Sequence, residues 1–413
     1  MRLLLPFLTA VRENWFYQEF HTGISEALRE LGLQPVRFPC AKLGSLAHPE
    51  AEALFREIDG RDHVAVLDVA CWGYGLTGVA LSMVDGSKKP IFDALNLPYV
   101  GMLLDHPYNQ AIQAIQTRNL YAAYPDKGHA RQVRLTYPGL VPASEIFLPP
   151  AVRPGSDYSA AKGGVERDID VLYIGNLDRS ALERFWNDRI SPIWEESYDA
   201  HFCNAMADIA LDNPERSLHL VVDEAVATAG PPAAEHGFAP QLRAVEHHLR
   251  HLFRHRAVMA LAASGVRMHL VGSGWDAAVL PPNFTLESET RYEMLFRLAA
   301  RAKICLDAST YLDGANDRVF SYSLNGAVCI TNAAGYLRDA FGEGEIRFYS
   351  MCDLNGLCEQ VKMMISQPAA LHEAGQRART TVFASHTWRN RMEDMMAVIK
   401  PPPRPANPIA FQV

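Results

Sequence analysis

The sequence predicts an α/β protein built from two halves of βαβ units around parallel sheets, and three observations carry that expectation. Short apolar runs alternate with amphipathic segments of helical period through residues 1–150. The alternation stops at a breaker-rich stretch, 151–168, and then starts again. In the second half, polar residues gather at the carboxyl ends of the apolar runs, where open α/β sheets bind ligands.

Taken in order, residues 2–9 read as the first buried strand. The apolar stretch to Val11 resembles a signal h-region, but Pro6 interrupts it, Arg12-Glu13 follow at once, and no small-residue cleavage site appears. A helix is expected over 20–31, because Phe20, Ile24, Leu28 and Leu31 share one face. Further buried strands fall at 64–70 and 99–104, so that 1–150 forms an N-terminal domain of βαβ units. Pro149-Pro150, Pro154-Gly155 and Gly163-Gly164 mark the linker. Beyond it, strands are expected at 170–174, 267–271, 304–307 and 327–330. Helices are expected at 242–261, 292–300, 335–341 and 354–366, which makes a C-terminal domain of 169–385. Residues 181–240 fit the rhythm poorly and read as a helical insertion. Residues 386–413 read as a crossover helix and a Pro-rich tail.

The 413 residues are 48% hydrophobic and 21% charged, a globular balance with enough length for two domains. A net charge of −8 gives no global attraction for nucleic acid or anionic lipid. No apolar run reaches the ~20 residues of a membrane span. Seven cysteines occur without a CxxC, and Cys305 and Cys329 sit in apolar runs as small hydrophobes. A reducing cytoplasm is the expected location.

The chemistry concentrates in Asp313-Gly314-Ala315-Asn316-Asp317-Arg318-Val319-Phe320 and the following Gly326 to Asn332. Turn formers end the preceding strand, Asn316 or Asp317 caps a helix, and Phe320 and Leu324 share its inner face. A helix N-terminus carrying an arginine suits a diphosphate. The same spacing also suits an ordinary loop with Arg318 in a structural ion pair.

At these residues the chain resembles the CgeB-like glycosyltransferases, part of the group 1 glycosyl transferases with the GT-B fold. Gly314 to Phe320, Gly326-Ala327-Val328 and Thr331-Asn332 look like their donor-site segment. Asp170 to Asn176, Gly265 to Trp275, and Tyr292-Glu293-Met294-Leu295 with Ala302 to Leu306 resemble the blocks before it. The family's His-Glu stands here as Asn316-Asp317, and its later Asp as Asn332. The resemblance implies two Rossmann-like domains facing a central cleft, with a nucleotide-sugar donor on the second.

Carried over residue by residue, it implies that Arg318 holds the diphosphate. Asp317 would take sugar hydroxyls or orient Arg318, with Asn316 and Asn332 beside it. Gly272, Ser273 and Gly274 would let backbone N–H groups approach the donor. Glu287, Ser288 and Glu289 would meet the base and ribose, and Gly175 and Asn176 would face the cleft. Tight turn geometry is the alternative for these last two groups. No cofactor beyond the donor and no metal is implied, because a helix dipole and Arg can stabilise the leaving diphosphate. For the base that deprotonates the acceptor, Asp105 and His106 follow a buried strand. The alternative is that Asp105 caps the next turn and His106 packs on Pro107. Trp72-Gly73-Tyr74-Gly75 and Glu13-Asn14-Trp15 are further candidates for the acceptor wall.

His247, His248, His251 and His255 have metal-capable spacing, but arginines surround them, and a solvated or partner-facing helix surface is expected. Arg179 and Glu183 are expected to pair locally, and His386-Thr387-Trp388 to be structural. The function implied is sugar transfer, of hexosyl or related type, from a nucleotide-sugar to a protein, glycan or small metabolite without a metal. A sugar-nucleotide epimerase and a non-catalytic binding protein on the same scaffold are the alternatives.

Overall fold

The computed structural model describes residues 1–9, 15–40, 48–58, 62–83, 86–158, 166–186, 189–191, 197–234, 236–276, 280–287, 292–333 and 335–399. Contacts divide the chain into one unit of Met1–Pro150 with Trp388–Val413 and another of Ala151–Thr387.

The first unit holds β1 (Arg2–Leu8), α1 (Trp15–Glu30), β2 (Gln34–Cys40), α2 (His48–Ile58), β3 (His63–Val69), the short β4 (Ala80–Ser82) and β5 (Lys88–Pro90), α3 (Ile91–Ala94), β6 (Tyr99–Met102), β7 (Leu120–Tyr124), α4 (His129–Thr136) and β8 (Ser144–Phe147). Its main sheet runs β2-β1-β3-β6-β7-β8, with every pair parallel. Leu3, Leu4 and Leu5 are all fully buried, as a strand covered on both faces requires. The run that resembles an h-region is thus a central strand. Its pairing with β3 ends at Leu4–Val66, which leaves Pro6 outside that ladder, where a missing N–H costs no ladder bond.

The second unit holds β9 (Ile169–Ile174), α5 (Arg179–Glu183), β10 (Phe185–Trp186), β11 (Arg189–Ile190), α6 (Ala200–Asp212), α7 (Leu218–Ala229), α8 (Phe238–Ala263), β12 (Met268–Val271), β13 (Phe284–Glu287), α9 (Tyr292–Arg301), β14 (Ala302–Asp307), α10 (Asp317–Leu324), β15 (Val328–Thr331), α11 (Gly335–Ala340), β16 (Arg347–Phe348), α12 (Leu354–Ser366) and α13 (Pro368–Ser385). Its parallel sheet runs β13-β12-β9-β14-β15-β16. That is the doubly wound order in which the chain reverses direction between the first and fourth strands, here β9 and β14. Cys305 and Cys329 lie fully buried on the adjacent strands β14 and β15, as small apolar groups would.

The final helix, α14 (Trp388–Val398), belongs to the first unit and packs on α1. A Cβ at Gly23 would lie 2.3 Å from the Trp388 ring, so the close approach of the two helices needs glycine there. Among the described residues no helix is long and apolar enough to cross a membrane.

Candidate functional site

In the second unit, β9 and β14 end side by side, and the loops that leave them diverge. Asp307 is the last residue of β14 and is fully buried. One carboxylate oxygen accepts from Asn316 Nδ2 at 2.8 Å and lies 3.6 Å from Arg318 Nη2. The other accepts from Thr331 Oγ1 at 2.9 Å. Asn316 is the cap of α10, and its Oδ1 accepts from the Arg318 N–H at 2.9 Å. Asp307 therefore fixes the cap, and the cap fixes where Arg318 starts.

Arg318 Nη1 donates to the Ile174 carbonyl at 2.6 Å, which brings the guanidinium to the end of β9. Burial opposes its charge, but Asp307 above all outweighs that and raises its pKa. About a fifth of the side chain remains exposed, so a ligand can reach it. Gly175 is the residue this approach requires: a Cβ there would lie 3.1 Å from Arg318 Nη1 and 2.8 Å from the Tyr173 hydroxyl. Asp317 is the first residue of α10 and adds its own favourable field to Arg318.

A second guanidinium reaches the same place from α8. Arg254 Nη1 donates to the Asn176 carbonyl at 3.1 Å, and its Nε is buried without a hydrogen-bond partner. Burial pulls its pKa down; Tyr173 opposes this, while the like charges of Arg318 and Arg250 add to it. Two turns earlier, the fully buried Glu246 accepts from Arg250 Nε at 2.6 Å and from Thr310 Oγ1 at 2.7 Å. The expected solvated face of this helix is therefore corrected. His248 stacks on Phe185 with centroids 4.2 Å apart, and His251 Nδ1 accepts from the Asp178 N–H at 3.1 Å. Arg254 and Glu246 point at the loops that leave the strands, and periodicity cannot say what a second polar stripe faces. Asp307, Glu246 and Arg254 were not among the sequence candidates for this site. For Asp307 the signal was an acid terminating the run Ile304-Cys305-Leu306.

Other expected residues are placed differently from expectation. Ser273 N–H donates to Asn176 Oδ1 at 3.0 Å and Gly272 N–H to the Glu287 carbonyl at 2.9 Å, so both amides serve the protein rather than a donor. A Cβ at Gly272 would lie 2.4 Å from the Gly175 carbonyl oxygen, and one at Gly274 would clash with that of Leu177. These glycines let two loops touch. Glu287 ends the edge strand β13 and its carboxylate meets His269 Nε2 at 3.2 Å. Asn332 is spent on Ser309, accepting from its N–H at 2.8 Å and donating to its carbonyl at 2.9 Å. Ser288 and Glu289, like Glu13 and Asn14, lie outside the described residues. Arg179 does not join Glu183 in the expected pair: it donates to the Gly274 carbonyl and meets Asp276 at 3.2 Å.

In the first unit, Asp105 Oδ1 accepts from the His106 N–H at 2.7 Å, the turn-capping arrangement. The His106 ring is buried, stacked on Tyr108 and 3.0 Å from His129 Nε2. It is one half of a buried imidazole pair rather than an exposed base. Trp72 is half-buried, with its ring 4.6 Å from Tyr17.

These two sheets define the class: paired Rossmann-like halves in a GT-B fold. Residues 250–397, which contain Arg254, Asp307, Asn316 and Arg318, match the family profile described as "Glycosyl transferase-like". Solved structures agree on the fold. An α-glucosyltransferase in complex with UDP and a mismatched 13-mer DNA is 9% identical, with 97% of this chain and 99% of that one covered and a TM-score of 0.54. Sucrose-phosphate synthase from Thermosynechococcus elongatus is 11% identical, with 96% and 98% covered and a TM-score of 0.53. A glycosyltransferase from Rickettsia africae is 9% identical, with 96% and 97% covered and a TM-score of 0.52. No curated protein sequence matches the chain.

Proposed function

We propose that the protein is a glycosyltransferase of the CgeB-like kind, acting in the cytoplasm, which moves a hexose or related sugar from a nucleoside-diphosphate donor to a hydroxyl-bearing acceptor. One observation carries the reading. Two guanidiniums, Arg318 and Arg254, converge with the capped start of α10 on the β9/β14 switch point, inside the segment that matches the family profile. Arg318 and Arg250 disfavour the charge on Arg254 while Asp307 already serves Arg318, and an anion reaching the exposed part of Arg318 would offset that repulsion. A diphosphate of about two negative charges fits that arrangement, and the α10 N–H groups add to it.

In the reaction the bond from the sugar anomeric carbon to the diphosphate oxygen breaks, and its electron pair leaves with the nucleoside diphosphate. Arg318 and Arg254 stabilise that departing charge, which a helix N-terminus can do without a metal. The acceptor oxygen forms the new bond, and a base takes its proton; the half-buried Asp105 is the proposed carrier, and the buried His106–His129 pair is proposed to hold the turn that presents it. Asp317 is proposed to bind sugar hydroxyls, with Gly175 and Asn176 lining the donor.

A thermal-shift screen against UDP-, GDP-, dTDP- and CMP-sugars tests this. A ligand at about 100 times its dissociation constant adds ~2.7 kcal/mol to a folded protein. One nucleoside-diphosphate class should stand out, with CMP-sugars silent, and lose its effect in Arg318→Ala. Silence from every donor would refute the reading. Turnover should also survive EDTA, and its loss would place a metal in the mechanism.

A further inference from the structure

We propose that Tyr173 sets the spacing of Arg318 and Arg254, so that the site selects a diphosphate over a monophosphate; this rests on the donor reading above and names what makes it selective.

Three consecutive carbonyls at the end of β9 are each taken by a different side chain. Ile174 accepts from Arg318 Nη1 at 2.6 Å, Gly175 from Trp275 Nε1 at 2.8 Å and Asn176 from Arg254 Nη1 at 3.1 Å. The two guanidiniums thus grip peptide groups two residues apart, on either side of Gly175. They come from different helices, α10 and α8, so their separation depends on what lies between them.

Tyr173 lies there. Side chains alternate along a strand, so Tyr173 and Gly175 face the same way. Gly175 leaves that space open and the phenol tip extends into it. A Cβ at Gly175 would lie 2.8 Å from the Tyr173 hydroxyl and 3.1 Å from Arg318 Nη1. The ring is fully buried and meets Trp275 edge-on, with centroids 5.9 Å apart. Burial pushes the phenol pKa up, and the positive fields of Arg254 and then Arg318 pull against it. On Arg254, in turn, Tyr173 is the strongest influence that opposes burial.

The Tyr173 hydroxyl and Arg254 Nε are both buried without a hydrogen-bond partner. Buried polar groups are ordinarily paired, and two orphans at one strand end are costly for the fold alone. They are explained by a ligand-binding duty. A phenol oxygen is compact and its lone pairs suit cations, so it holds two guanidiniums apart at low cost. The exposed part of Arg318 lies in front of it. Tyr173 therefore acts through the arginines and is a positioning residue. Two fixed cations meet both phosphates of a diphosphate at once, and the fixed spacing spares the ligand the cost of ordering them. A monophosphate engages Arg318 alone and gains nothing from it.

The test uses the full chain and calorimetry with UDP, GDP and dTDP, and with UMP, GMP and dTMP by displacement. One diphosphate should bind about tenfold or more tightly than its own monophosphate. In Tyr173→Phe that preference should fall about fivefold or more, with the diphosphate weakened and the monophosphate unchanged. The melting temperature should hold or rise, since the hydroxyl removed has no partner in the fold. A purely structural tyrosine would leave the ratio alone, and an unchanged ratio overturns the proposal. So does an equal loss for both ligands, the mark of a site merely loosened. A wild-type protein that binds none of the six nucleotides refutes the donor reading and this role together, whereas normal diphosphate binding with full preference in Tyr173→Phe refutes this role alone.

Discussion

Two buried titratable groups in the first unit should make opposite contributions to its pH dependence, and removing either should expose the other. Burial above all, with Arg37 adding to it, pulls the His21 imidazole down to about 3 from its ordinary 6.5. Both ring nitrogens lie without a hydrogen-bond partner against Phe7 and Tyr17. Burial pushes Asp68 up to about 7 from 3.8, against hydrogen bonds from Tyr99 and from the Gly73 and Trp72 N–H groups. The neighbouring Cys40 thiol is pushed up to about 12 and the Cys71 and Tyr17 groups are raised as well, so none of them titrates in acid.

From about pH 5 to about pH 6.5, the unfolded chain binds a proton at His21 that the folded chain refuses. Stability from that group rises with pH by about 1.4 kcal/mol per unit. Over the same window the folded chain keeps a proton on Asp68 that the unfolded chain has released, and stability falls at the same rate. Each is worth about 2 kcal/mol across the window, and in the wild type they cancel. His21→Leu should therefore lose about 2 kcal/mol as pH rises through it, and Asp68→Asn should gain about as much. The double variant should return to the wild-type slope. Native-state hydrogen exchange of the β1 and β3 amides reads this unit selectively. Parallel curves for the wild type and both single variants would refute the argument.

The remaining predictions concern the site. Arg318→Ala should weaken donor binding by roughly 2–5 kcal/mol by calorimetry; unchanged affinity would leave Arg318 as a structural tie between α10 and β9. Asn332→Ala should cost ~1–3 kcal/mol of thermal stability, because it leaves the Ser309 N–H and carbonyl unsatisfied. A loss of donor affinity with no loss of stability would restore Asn332 as a ligand contact. Asp105→Asn or His106→Ala should cut turnover with donor affinity intact, and wild-type rates in both would place the base elsewhere.

Seven strands were legible because a parallel sheet buried on both faces demands uninterrupted apolar runs, as in Leu3-Leu4-Leu5 and Ile304-Cys305-Leu306, whereas β2, β7, β8, β13 and β16 went unread. The α10 cap was legible because turn chemistry is local. What stayed hidden depends on partners far away in sequence. Asp68 is explained by Tyr99, 31 residues on. Gly272 is explained by the Gly175 carbonyl, and Arg254 by Asn176, 78 residues before it. A glycine needed for loop contact and one needed for a ligand have the same letter, and spacing cannot separate them. Charge on a helix reads as solvated until the element it faces is known.

The two sheets carry different chemistry at equivalent positions. In each, the chain builds outward from one strand, returns past it, and leaves a boundary at the carboxyl ends, β9/β14 in one unit and β1/β3 in the other. The first boundary is furnished with two guanidiniums and a capped helix start; the second is packed by Tyr17 and Gly73 against Pro6. A chain of net charge −8 repels a diphosphate at long range. Its attraction must then be local, and Asp307 supplies the means: it holds Arg318 in place while leaving part of that guanidinium accessible. Replacing Asp307 with Asn separates these roles. The Asn316 and Thr331 contacts can persist on an amide while the field that stabilises Arg318 is lost. If Asp307 works chiefly by charge, the variant should bind nucleotide more weakly with only a modest fall in melting temperature. If it works chiefly as a scaffold, melting temperature should fall and affinity per folded molecule should hold.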